Sequence, residues 1–172
     1  ALETEMKIGY LGPEATFTHQ AARSKFGASV EYIPTATISE VFDRVQNRTA
    51  DYGVVPIENS TEGAVTHTFD QFATTSLKIC AEIYLPVSLT LLSKVDRDQL
   101  RVIYSKHEVF GQCRTWLQTH LPDVELSPVE STTKAVKLAL ESEYSAAIAS
   151  AMASDMYGIE VLANGIQDMQ GN

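Results

Sequence analysis

Short apolar runs alternate with helically spaced apolar residues along most of this chain. Residues 7–11 (Lys-Ile-Gly-Tyr-Leu) predict a strand that stops at the turn Gly12-Pro13. Residues 18–26 predict a helix with Ala21, Ala22 and Phe26 on one face and Gly27 as its stop. A strand over 30–33 follows. Thr37-Ile38-Ser39-Glu40 then reads as a capping box opening a helix that buries Val41, Phe42 and Val45. Residues 52–57 predict a strand apolar enough to be buried on both faces, and 65–72 a helix. Residues 77–93 are long, β-branched and interrupted by a proline, as expected of a chain crossing between lobes. Beyond them the pattern predicts strands over 102–105, 124–126, 146–149 and 159–163. It predicts helices over 108–121, from Ser131 or Thr132 through 140, and over 151–157 before Gly158. Such alternation predicts α/β architecture with mostly parallel sheets.

The 172 residues suffice for one ordinary domain or two small lobes, and 44% hydrophobic content supports a sizeable core. The longest apolar stretch, 83–92, is broken by Pro86, Ser88 and Thr90 and is too short to span a membrane. No charged-then-apolar leader opens the chain, so a cytoplasmic protein is expected. The start at Ala1 without Met predicts a processed chain or an excised domain. A net charge of −9 without a basic stripe argues against nucleic acid as a partner. Neither Cys80 nor Cys113 has a paired spacing, and Cys113 reads as a small buried hydrophobe. His19, His67, His107 and His120 lack ligand spacing, so no metal site is expected and each reads as solvated or capping.

The candidate chemistry gathers after predicted strand ends. The strand over 52–57 runs into Glu58, Asn59, Ser60, Thr61, Glu62 and Gly63. Strand ends in open α/β sheets are where ligands bind, and Gly63 permits close backbone approach or a sharp turn. The same residues also fit a polar turn with a helix cap at Ser60 or Thr61. Hydroxyls recur at other helix starts, at Thr16 and Thr18, Ser105, and Ser131 and Thr132. Helix N-termini carry unpaired N–H groups and partial positive charge, which offers an acidic protein a way to hold an anion. Each hydroxyl alone would serve equally as a cap.

Val55-Pro56-Ile57-Glu58-Asn59-Ser60-Thr61-Glu62-Gly63-Ala64-Val65 resembles the Pro-Ile-Glu-Asn-Ser-x-x-Gly-x-Val signature of prephenate dehydratases. The stretch from Gly12 to Ala22, Tyr104-Ser105 with Gln112-Cys113, Glu130-Ser131-Thr132, and Ala146 to Ser150 with Tyr157-Gly158 resemble further motifs of that family, in order. The resemblance runs from Lys7 onward. It implies two α/β lobes similar to bilobed periplasmic binding proteins, one of about 7–80 plus 160–172 and one of about 81–159, with the site in the cleft. It implies decarboxylating dehydration of prephenate to phenylpyruvate. Aromatisation drives that reaction, so no cofactor is needed.

By the resemblance, Glu58, Asn59, Gln112 and Glu130 are the candidate catalytic residues. Thr16, Ser60, Gly63, Ser105, Lys106, Ser131 and Thr132 are the candidate substrate-binding ones. Glu58 and Glu130, if enclosed, would be carboxyls able to assist the departing hydroxyl. Lys106 stands where the family has histidine, and His107 where it has proline. The sequence ends at Asn172, just before the family's Thr-Arg-Phe motif, so this polypeptide is expected to fold but to be a poor catalyst. The ACT regulatory domain that usually follows in the family is absent from these residues; fusion to ACT and chorismate mutase domains in a full-length protein is compatible with the resemblance, the leader from Ala1 to Glu5 fitting a linker remnant, and so is a homo-oligomer. Arogenate dehydratase and a non-catalytic small-molecule-binding module are the rival readings.

Overall fold

In the computed structural model, residues 5–59 and 63–168 are described. The chain divides between Leu85 and Pro86 into two compact units. The first holds a three-stranded parallel sheet of β1 (Lys7–Leu11), β2 (Glu31–Thr35) and β3 (Tyr52–Val54), in the order β2-β1-β3. Its helices are α1 (Phe17–Phe26) and α2 (Ile38–Gln46). Beyond β3 come a two-stranded antiparallel ribbon, β4 (Glu58–Asn59) and β5 (Gly63–Ala64), and then α3 (Thr66–Thr74). The core gathers around Ile8, Tyr10 and Ala22, with Phe26, Val30, Tyr32 and Val54 packed against them.

Local chemistry explains the helix boundaries. Thr37 caps α2 by accepting the Glu40 N–H at 3.2 Å, while the Glu40 carboxylate accepts the Ala36 N–H at 3.2 Å. The box therefore reaches one residue further back than the reciprocal pattern the sequence predicts. The strand expected over 52–57 is shorter, and neither face is fully buried: Tyr52 and Gly53 are exposed and Val54 half-buried. β3 is an edge strand with β1 as its neighbour, and Pro56 has no N–H to extend the ladder. The Thr68 hydroxyl, buried on α3, instead donates to the Pro56 carbonyl at 2.7 Å and ties this segment down.

The second unit is a five-stranded mixed sheet in the order β10-β6-β9-β7-β8. The strands are β6 (Leu89–Ser93), β7 (Val102–Ser105), β8 (Glu125–Pro128), β9 (Ser145–Ser150) and β10 (Val161–Ala163). β9, β7 and β8 run parallel; β6 is antiparallel to β9, and β10 to β6. Every residue of β6 and β9 is buried. The small side chains of β9 let α6 (Thr132–Glu141) lie close on it through Ala135, Val136 and Ala139. Buried hydroxyls are satisfied within the sheet, Thr90 donating to the Ala149 carbonyl at 2.8 Å and Ser93 to the Ser145 carbonyl at 2.6 Å. α7 (Ala151–Tyr157) ends at Gly158, whose φ of 65° suits a residue without Cβ.

Two expectations are corrected here. The helix over 108–121 is two helices, α4 (His107–Gln112) and α5 (Arg114–His120), parted at Cys113. The C-terminal segment, expected with the first lobe, joins the second unit as far as it is described. β10 pairs with β6, and the Ile166 N–H donates to the Leu89 carbonyl at 3.1 Å. β10 takes the edge of β6 opposite β9 and so covers what would be an exposed strand edge.

Candidate functional site

In the second unit, three parallel strands end side by side, and each feeds a helix. β9 ends at Ser150 before α7, β7 at Ser105 before α4, and β8 at Pro128 shortly before α6. The ends are fastened in line. Ser105 lies opposite Pro128, its hydroxyl donates to the Ile148 carbonyl at 3.0 Å, and its carbonyl accepts the Val129 N–H at 2.8 Å. This is the position where open α/β sheets present ligand sites.

α6 is the longest helix starting on this edge. Ser131 is its N-cap, accepting the Lys134 N–H at 3.1 Å. The acceptor role leaves the Ser131 hydroxyl proton available to a ligand. Thr132 is half-buried at the first helical position, and its hydroxyl makes no hydrogen bond among the described residues. Ser105 is different. It is 1% exposed and its proton is directed to Ile148, so it holds two strands together and offers a ligand only lone pairs. Lys106 is exposed at the N-cap position of α4 and makes no ion pair among the described residues. Gln112 is half-buried at the end of α4, its carbonyl accepting the Asp168 N–H at 2.7 Å.

Neither candidate carboxylate is buried. Glu130 is 75% exposed and pairs with Lys134 at 3.1 Å, one helical turn on. Glu58 is exposed on β4. Both lie outside the packed sheets, so burial does not shield either from water. Asn59 and Gly63 face each other across the ribbon of β4 and β5. Ser60 and Thr61 lie outside the described residues. Thr16 caps α1 by accepting the His19 N–H at 3.3 Å.

Four residues that matter were not singled out from sequence. His19, expected to be solvated or capping, is 4% exposed, stacked on Tyr10 with ring centroids 4.5 Å apart. Its Nδ1 accepts the Ala15 N–H at 3.0 Å, which fixes the turn leading to Thr16. Burial, then the nearby Arg23, hold its pKa below the ordinary value, with Glu14 opposing. Thr68, Ser150 and Asp168 complete the group. Only the motif stretches containing His19 and Ser150 hinted at any of them; the partners of Thr68 and Asp168 lie 12 and 53 positions away in sequence. Cys113 is fully buried, as the sequence predicts, and its thiol is pushed up to about 12 by burial and secondarily by Asp168. Among the described residues no cluster of three His, Cys, Asp or Glu could hold a metal, and no helix is long and apolar enough to cross a membrane.

The family model for prephenate dehydratase matches residues 8–172. The chain belongs to the prephenate dehydratase family. A protein of Aquifex aeolicus named bifunctional chorismate mutase/prephenate dehydratase is 47% identical over 173 residues, covering 100% of this chain and 48% of that protein. A prephenate dehydratase of Amycolatopsis methanolica is 36% identical over 165 residues, covering 95% of this chain and 54% of that one. The crystal structure of a prephenate dehydratase from Arthrobacter aurescens, in complex with L-Phe, aligns with a TM-score of 0.86 at 33% identity over 97% of this chain and 57% of that chain. The chain thus spans about half the length of the curated relatives it matches. The α/β class and the preponderance of parallel pairing hold in both structure and family.

Proposed function

We propose that this chain carries out prephenate dehydratase chemistry, converting prephenate to phenylpyruvate in the synthesis of phenylalanine. The observation that carries the reading is the edge where β9, β7 and β8 end together beneath the start of α6, in a chain of this family. In the reaction the C–C bond to the ring carboxylate breaks and releases carbon dioxide. Its electron pair enters the ring as the C–O bond breaks and hydroxide departs, to leave as water after gaining a proton. The protein's tasks are to hold carboxylates, to hydrogen-bond the departing oxygen and to limit water.

The Ser131 and Thr132 hydroxyls, with the N-terminal dipole of α6, suit a substrate carboxylate. Lys106 adds positive potential on the same edge of the sheet. Gln112 and Asn59 are amides suited to stabilising the leaving oxygen, and Glu58 and Glu130 are the carboxylates that can relay a proton once substrate covers them. Thr16, Ser60 and Gly63 belong to the same reading as backbone and hydroxyl contacts. Ser105 enters it as an anchor of β7 against β9 rather than as a donor to substrate. The bifunctional names of the relatives support a chorismate mutase domain in the same polypeptide; fusion to an ACT domain and a homo-oligomer are further proposals compatible with the family.

The test is turnover of prephenate and of arogenate by the full-length protein, with calorimetry for binding. Preferred turnover of prephenate supports the reading. Preferred turnover of arogenate assigns the amino-acid substrate, and binding without turnover of either overturns the catalytic reading.

A further inference from the structure

An uninterrupted helix over 107–120 would direct the Thr115 N–H to the Gly111 carbonyl and the Trp116 N–H to the Gln112 carbonyl. Asp168 takes part of each arrangement. Its carboxylate accepts the Thr115 N–H, at 3.1 Å to Oδ1 and 3.4 Å to Oδ2, and its own N–H donates to the Gln112 carbonyl at 2.7 Å. One residue thus serves both sides of the break at Cys113. The sequence between 107 and 120 contains no proline to force that break.

Asp168 is held independently of the helices it touches. The preceding Ile166 is 1% exposed and donates its N–H to the Leu89 carbonyl at 3.1 Å. Gln167 is buried; its Oε1 accepts the Leu89 N–H at 2.9 Å and its Nε2 donates to the Val87 carbonyl at 3.2 Å. The segment is therefore stitched to the start of β6. Its last described residue reaches across to α4 and α5.

We propose that Asp168 is a positioning residue, holding α4 and α5 apart at Cys113 and so setting the direction of the Gln112 side chain. The proposal rests on reading Gln112 as part of the dehydratase site. Gln112 is the last residue of α4, so its side-chain direction depends on where that helix ends. Without Asp168, Thr115 N–H and Gln112 C=O regain their helical partners most cheaply by closing the break, which rotates Gln112 out of place. The raised pKa of the buried Cys113 thiol is consistent with the Asp168 carboxylate lying against this corner.

The experiment uses the full-length protein with Asp168→Ala, Gln112→Ala and the double variant. Steady-state kinetics on prephenate is paired with the side-chain amide resonance of Gln112 in ¹⁵N-labelled protein. Asp168→Ala is expected to lower kcat about 10- to 100-fold, the scale of a small misplacement, with KM within about twofold. It should also shift the Gln112 amide resonance. The double variant should be no slower than Gln112→Ala alone, because the two losses act through one group. Independent, multiplying losses, or an unmoved resonance with only reduced thermal stability, would overturn the proposal. Asp168→Glu keeps the charge on a longer arm and covers the case in which the alanine variant does not fold. It must also lower kcat and move the resonance, and normal values of both would overturn the proposal. If the wild-type protein does not turn over prephenate, the functional reading fails, and the Gln112 resonance alone still decides whether Asp168 positions it.

Discussion

Replacing Gly53 with alanine should destabilise the first unit, and the structure gives the size of the effect. A Cβ at residue 53 would lie 2.7 Å from Val41 Cγ1 and 3.1 Å from Val45 Cγ2. Carbon atoms rest about 3.5–4.0 Å apart, so the shortfall at Val41 is close to 1 Å. Val41 is 2% exposed on α2, and a β-branched side chain in a helix has one strongly preferred rotamer. It cannot swing aside, so α2 or β3 must shift. Overpacking of this kind costs about 1–3 kcal/mol. The reduced freedom of the unfolded chain returns about 0.4–1 kcal/mol. The net expectation is a loss of about 1–2 kcal/mol, or a Tm lower by about 5–15 °C for a unit of this size. Urea and thermal unfolding by circular dichroism would measure it. Val41→Ala removes the clashing methyl groups, so Gly53→Ala combined with Val41→Ala should cost at least about 1 kcal/mol less than the two single changes added. Gly53→Ala as stable as wild type, or simple additivity with Val41→Ala, would refute the argument.

The pKa of His19 is lowered by folding, so the unfolded chain binds its proton more readily. The stability contributed by neutral His19 is full above its ordinary value of 6.5 and is lost as pH falls from there toward the lowered folded-state value. His19→Asn keeps an acceptor for the Ala15 N–H and should flatten that part of the stability–pH curve; an unchanged slope in urea melts between neutral and mildly acidic pH would show that another group titrates. Ser131→Ala removes the acceptor of the Lys134 N–H and should cost about 0.5–2 kcal/mol of stability by thermal melts. Thr132→Val should leave Tm nearly unchanged but raise KM for prephenate, by the equivalent of about 1–3 kcal/mol; unchanged KM would remove Thr132 from the substrate.

Elements bounded by their own local chemistry were legible in the sequence. Thr37 with Glu40, Ser131, Gly27 and Gly158 mark helix ends through groups within a few residues, and the structure places caps at each. What depended on distant partners was not legible. The break at Cys113 is served by Asp168, 53 positions from Thr115. β3 is short because it lies at a sheet edge and meets Pro56, and residue types alone gave an apolar run the look of an interior strand. The motif residues were identifiable by resemblance, but their surroundings were not. Ser105 faces a neighbouring strand's carbonyl and Glu130 faces water and Lys134, distinctions that require the sheet register.

The strand order of the second unit also constrains its birth on the ribosome. β6 is bordered by β9 and β10, both made after the whole β7–α6 stretch, so between Ser93 and Ser145 it waits through roughly 50 residues of synthesis. At about 5–20 residues per second, that is on the order of 3–10 s with both of its hydrogen-bonding edges open. The strands of the first unit's parallel sheet, by contrast, are complete once Val54 has emerged. The nascent chain therefore carries an all-apolar-and-hydroxyl strand, Leu-Thr-Leu-Leu-Ser, unpaired through most of the translation of its own unit. That interval is when chaperone capture would matter most, and slow codons placed before residue 145 would lengthen it.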